Sequence, residues 1–165
     1  MTKNKPTYIF KSVSINSIDL EDRLTSFSLS SLPDSLQQSI EEIGVINPVT
    51  LIQIGKRFRI ICGHRRVNIS SLLKANEISA RILDSTISDE LMLMLNLSEN
   101  QAHRHYSDVE KGLILSKFLK VKVPEDRITE KYMPMLSLER SKKLLDDYPN
   151  TSQLTPGLQT LLHEM

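Results

Sequence analysis

Two short stretches of this sequence carry side chains whose types and spacing suit chemistry. In the first, the run Arg57 to Cys62 leads into Gly63-His64-Arg65-Arg66. A glycine lets the backbone approach an oxyanion, the first N–H groups of a following helix have no intrahelical partner, and two guanidinium groups add forked, charged donors. Such a set suits phosphate, although arginines at a helix start also serve as plain solvated charge. In the second, Glu99-Asn100 precedes His103, Arg104 and His105. A carboxylate beside a carboxamide offers the hard oxygens that magnesium takes, the rest of its shell coming from water and a bound phosphate. The same pair also reads as a polar hinge between two helices.

Glu21 is a third candidate. A carboxylate there could take the proton of an attacking hydroxyl if folding sets it beside a terminal phosphate, or it could be an exposed acidic loop residue. The four histidines, His64, His103, His105 and His163, do not share the spacing of a zinc site, and no structural metal is expected. Cys62 is the only cysteine, which excludes an intramolecular disulfide and a multi-cysteine zinc site and suits a reducing cytoplasm. It is expected as a buried strand residue.

The elements that must position these groups are legible from hydrophobic period and punctuation. Tyr8 to Ile15 reads as a strand, and the serine-rich stretch Ser26 to Ser31 as a loop. Ser31 can cap a helix carrying Leu32, Leu36, Ile40 and Ile43 at helical spacing, with Pro33 in its first turn and Gly44 ending it. Val49 to Ile54 and Arg57 to Cys62 form a hairpin about Gly55-Lys56. A helix from about Arg65 to Lys74 and a strand Ile78 to Leu83 follow. Thereafter the pattern is helical: Asp89 to about Ser98, then a helix to Lys120 announced by the capping box of Ser107 and Glu110. Prolines at 124, 134, 149 and 156 divide the remainder, with a helix expected from Leu138 to Tyr148 and a last one after Thr155-Pro156.

The 165 residues are enough for one domain or a domain with an appendage, and the formal charge of +1, from 21 basic against 20 acidic residues, gives no global reason to expect nucleic acid. No run approaches the roughly 18 to 20 apolar residues of a membrane span, and the start MTKNKPTY lacks the core of a signal peptide. An intracellular protein with no membrane partner is the expectation.

Three segments, taken in order, resemble the ParB superfamily. LQQSIEEIGVINPV, from Leu36 to Val49, is similar to that family's helix followed by a glycine and an x-x-Gln/Asn-Pro element, which places Asn47 at the site. IICGHRR, Ile60 to Arg66, resembles its arginine motif. LSENQAHRHYSDVEKGLIL, Leu97 to Leu115, resembles its Glu-Asn motif and the helix after it. The resemblance implies an α+β fold, a ParB/sulfiredoxin-like mixed sheet with helices over residues 1–98, followed by a helical segment over 99–165. It implies a nucleoside triphosphate, CTP ahead of ATP, held by Asn47, Gly63, His64, Arg65, Arg66, His103 and Arg104, with Mg2+ on Glu99 and Asn100. It also implies a switch for association with DNA or protein, and a homodimer.

Departures from the family pattern are specific. Where partition proteins usually carry Gln-Pro-Arg, the counterpart here is Glu21-Asp22-Arg23, and Glu-Asn-x-Gln-Arg becomes Glu99-Asn100-Gln101-Ala102-His103, with arginine moved to Arg104. Kinase-like members place an acidic residue near Glu21, which makes a small-molecule phosphotransferase the alternative. Relative to the catalytic cysteine of sulfiredoxin, Cys62 stands one place early. The segment Ile128 to Tyr148 lies where partition proteins begin a DNA-reading helix-turn-helix. It reads as a reduced version of that module, broken at Met133-Pro134, or as a packing or dimer element.

Overall fold

The computed structural model describes residues 7–28, 34–83, 87–101 and 105–151, the last four of them by backbone alone. Contacts divide these into two compact units. One takes the residues up to Thr25 and those from Asp34 through Ser88; the other takes the short piece after Thr25 and the residues from Asp89 on.

The first unit is built on a four-stranded sheet. Its strands are β1 (Tyr8–Ser14), β2 (Val49–Ile54), β3 (Arg57–Cys62) and β4 (Glu77–Leu83), in the order β1-β4-β2-β3. β1 runs antiparallel to β4, β4 parallel to β2, and β2 antiparallel to β3. The register sets Val13 against Ile78, Val49 against Ala80, and Leu51 against both Ile82 and Ile60, so one sheet face is continuous apolar surface. Ile18 and Val67 complete this core. Gly55 takes the left-handed conformation that the expected hairpin turn demands, with φ +61°. The β2–β3 ladder slips between Thr50 and Leu51, an irregularity that re-aims the end of β3 just before the arginine turn.

Helix α1 (Asp34–Ile43) ends, as expected, at Gly44 in the left-handed region. Ser31, Leu32 and Pro33 lie outside the described residues. Ile40 is buried while Ile43 is 64% exposed, so the apolar stripe is narrower than its spacing suggests. Helix α2 (His64–Leu72) is shorter than the expected Arg65 to Lys74. It closes because Lys74 turns left-handed and the Ala75 N–H reaches back to the Ser70 carbonyl at 2.9 Å.

The second unit is helical: α3 (Asp89–Gln101), α4 (Asp108–Lys120), α5 (Glu125–Arg127), a π turn (Ile128–Tyr132), α6 (Met133–Met135) and α7 (Lys142–Thr151). Helix α4 carries the expected capping box, with the Ser107 hydroxyl accepting from the Glu110 N–H and the Glu110 carboxylate accepting from the Ser107 N–H. Two expectations are corrected. Met133-Pro134 does not break the chain: residues 125–135 stay helical because the turn before Pro134 is widened to π geometry, relieving the collision of a proline ring with the preceding turn. The next helix starts at Lys142, not Leu138. Ser137 terminates the previous one with φ +56°, and the Ser141 hydroxyl accepts from the Leu144 N–H at 3.3 Å. The helix expected after Thr155-Pro156 lies outside the described residues.

The π turn presents Tyr132 to the interior of this unit. Its ring is fully buried and stacks on Phe118 at 4.0 Å between centroids, and its hydroxyl donates to Glu90 at 2.6 Å. Arg127 donates to the same carboxylate at 3.0 and 3.3 Å, so Glu90 ties the start of α3 to the 125–135 helical stretch. Burial first, then the Glu90 carboxylate, push the Tyr132 hydroxyl above the ordinary tyrosine range, with the nearby Arg127 charge opposing them. A folded pKa above the unfolded value of about 10 means the native state keeps its proton where the unfolded chain loses it. Stability from this group is therefore complete below about pH 10 and falls as pH rises above it. Tyr132→Phe should cost about 1–2 kcal/mol at neutral pH and flatten the alkaline limb. Urea melts of both proteins from pH 7 to 11 measure the two effects.

Candidate functional site

The arginine turn grows directly from the sheet. β3 ends at Cys62, which is buried as expected of a strand residue, and Gly63 then takes φ +98° and ψ 24°. Two constraints make glycine necessary there. An L-residue is strained at that φ, and a Cβ would come within 2.8 Å of Val49 Cγ1 and 3.1 Å of Arg66 Nη2. The Gly63 carbonyl accepts the first helical N–H of α2, that of Val67, at 3.0 Å. Gly63, at the N-cap, has no side chain with which to cap the helix that residues 64–66 open.

Arg66 ties this turn to a second motif. Its Nη1 donates to the Asn47 carbonyl and, at 3.1 Å, to the Pro48 carbonyl. Asn47, Gly63 and Arg66 are thus brought together, Asn47 through its backbone. Arg65 follows as a half-buried residue in the same first turn. His64 Nε2 lies 3.5 Å from the Thr25 hydroxyl, which donates to the Ile60 carbonyl at 2.5 Å.

Thr25 is a residue beside the turn that sequence reasoning missed. It is 1% exposed and closes the loop carrying Glu21-Asp22-Arg23 against β3 and the arginine turn. No local pattern distinguishes it among the serines and threonines nearby, because its partner is 35 residues away. The loop is further held by Asp22, whose carboxylate receives Arg59 Nε at 2.5 Å and the Leu24 N–H at 2.9 Å. Glu21 is exposed, and its N–H donates to the Asp19 carboxylate at 3.2 Å.

Glu99 and Asn100 belong to the second unit, in the last turn of α3. The Asn100 amide nitrogen donates to the Asn96 carbonyl at 2.9 Å and to Asn96 Oδ1 at 2.8 Å. The nitrogen end of the Asn100 amide is thereby engaged within α3. Adjacent residues on a helix diverge by about 100°, so a magnesium ion taking both would complete its shell from phosphate and water. Among the described residues no three His, Cys, Asp or Glu side chains cluster as a metal site. His103 and Arg104 lie outside the described residues.

A mixed four-stranded sheet, a glycine-arginine turn opening a helix, and a helical extension make up this architecture, and comparison assigns its family. Residues 2–101 match the family model described as ParB N-terminal domain. The chain belongs to the ParB N-terminal domain family. It is 26% identical over 132 residues to a probable chromosome-partitioning protein ParB of Coxiella burnetii, covering 79% of this chain and 43% of that protein. The chain thus spans less than half of that relative's length. A Pnob8-like ParB-N domain aligns with 94% of this chain and 68% of its own, at 19% identity and a TM-score of 0.58, and shares the fold. A C-terminally truncated chromosome-partitioning protein ParB from Caulobacter crescentus, complexed with CTP-gamma-S, aligns with 94% of this chain and 85% of its own at 16% identity, with a TM-score of 0.46.

The close approach at Gly63 has a direct consequence. Gly63→Ala should destabilise the protein by about 3 kcal/mol, combining left-handed strain with the Val49 clash. Chemical denaturation reads the loss.

Proposed function

We propose that this chain is a nucleoside-triphosphate-binding module of the ParB type, with CTP ahead of ATP as its ligand, acting as a switch for DNA or protein association in DNA partition. One observation carries the nucleotide half of this reading. Gly63 delivers a helix start and Arg65 to one place, and that place is fastened to the family's Asn47-Pro48 element. The N–H groups of residues 64–66 and the Arg65 guanidinium then supply the neutralising donors that a triphosphate requires. The magnesium role of Glu99 and Asn100 rests on the sequence motif, and the orientation of the Asn100 amide favours it. The roles of His103 and Arg104 toward the nucleotide, the homodimer and the cytoplasmic location rest on the family resemblance.

For the helical part, the basic residues that could meet DNA phosphates are partly engaged. Arg140 pairs with Glu130 at 3.6 Å and Lys142 with Asp126 at 2.9 Å, the hydrogen bond to Asp126 raising the Lys142 pKa. Such exposed pairs are weak and yield readily to a competing polyanion. Among the described residues no helix is long and apolar enough to cross a membrane.

A phosphotransferase using Glu21 is the second reading. It is favoured by the Thr25 contact, which holds the Glu21 loop to the arginine turn. Calorimetry of the full chain with magnesium and each nucleoside triphosphate tests both. The switch reading expects binding of CTP, lost at least tenfold in Arg65→Ala, with Glu21→Gln binding as the parent does. Absence of binding by any nucleotide contradicts it. Turnover of a hydroxyl acceptor that disappears in Glu21→Gln would replace it with the phosphotransferase.

A further inference from the structure

We propose that Arg66 is a positioning residue and not a phosphate ligand: its guanidinium clamps the Asn47-Pro48 turn to the Gly63 turn. Phosphate is left to Arg65 and the N–H groups opening α2. For the ligand, this rests on the nucleotide reading above; the clamp itself does not.

The geometry is specific. Both hydrogens of Arg66 Nη1 are used, one on the Asn47 carbonyl and one on the Pro48 carbonyl. The second terminal nitrogen, Nη2, lies 3.1 Å from where a Gly63 Cβ would stand, packed over the bare glycine. The absent side chain of Gly63 therefore makes room for the guanidinium as well as for Val49. Val49 follows directly on Pro48, so two links close one small ring: Arg66 on the carbonyls of 47 and 48, and Gly63 against Val49. A phosphate taking Nη1 would strip both carbonyls of a charged donor, and hydrogen bonds from charged groups are the stronger class. Arg65, next in sequence, stands about 100° away around the helix.

Nuclear magnetic resonance of the full chain with 15N-labelled arginine decides the matter. Without nucleotide, Arg66 should show separate, slowly exchanging Nη signals, the signature of a guanidinium held against rotation. On adding magnesium and CTP, Arg65 signals should move while those of Arg66 stay. Arg66→Gln should shift the amides of Asn47, Val49 and Gly63 in the free protein and weaken binding of magnesium-CTP about tenfold through the misplaced turn. If Arg66→Gln does not fold, Arg66→Lys is read the same way, since one ammonium cannot reproduce the fork. A single averaged Nη signal for Arg66 in the free protein overturns the clamp. A shift of Arg66 as large as that of Arg65 on adding magnesium-CTP overturns the division of labour. If magnesium-CTP leaves the whole spectrum unchanged, the nucleotide reading fails, and the free-protein signal still judges the clamp.

Discussion

The first unit depends on one close approach, that of Gly63 to Val49. A strand must end, reverse into the left-handed region and start a helix, all within van der Waals reach of the neighbouring strand's first residue. Only a residue without Cβ satisfies both the dihedral and the contact. Once that is met, Arg66 falls onto the carbonyls of Asn47 and Pro48, and His64 comes beside Thr25. The chain's charged turn is thus the meeting point of a hairpin, a loop and a helix. Its rigidity comes from the apolar sheet face beneath, where Val49, Leu51, Ile60 and Val67 are buried. This is the kind of preorganised support that anion sites need, because donors fixed before the ligand arrives cost little to order on binding.

The second unit uses a different device. Its helices pack through Phe118 and Tyr132, and a carboxylate on α3, Glu90, answers both the tyrosine hydroxyl and Arg127. The π turn is what aims Tyr132 inward, and it also spares the backbone the strain of Pro134. The helix that holds Glu90 in its first turn carries Glu99 and Asn100 in its last, so the motif is carried on an element anchored at its other end.

Much of this was legible in the sequence. The hairpin about Gly55-Lys56, the Gly63 turn and the Ser107–Glu110 capping box are local events, governed by glycine conformation and short-range hydrogen bonding, and each appears where its residues predict. The misses have long-range or competing causes. Thr25 finds its partners on β3 and α2, far along the chain, and no pattern around it points there. Met133-Pro134 reads as a break because proline usually is one, yet a widened turn absorbs it. The start at Leu138 reads well by period, but Ser141 offers a hydroxyl cap that Leu138 lacks. Arg66 illustrates a subtler limit: its type and place predict a phosphate ligand equally well whether it faces an anion or two carbonyls.

Membership of the ParB N-terminal domain family fixes the fold and makes the nucleotide the central claim about this chain. The most direct test is a crystal structure of the full chain grown with magnesium and CTP. The account predicts a triphosphate lying over the N–H groups of His64, Arg65 and Arg66, with the Arg65 guanidinium on an outer phosphate oxygen. Phosphates bound elsewhere on the chain, or no nucleotide at saturating concentration, would contradict it.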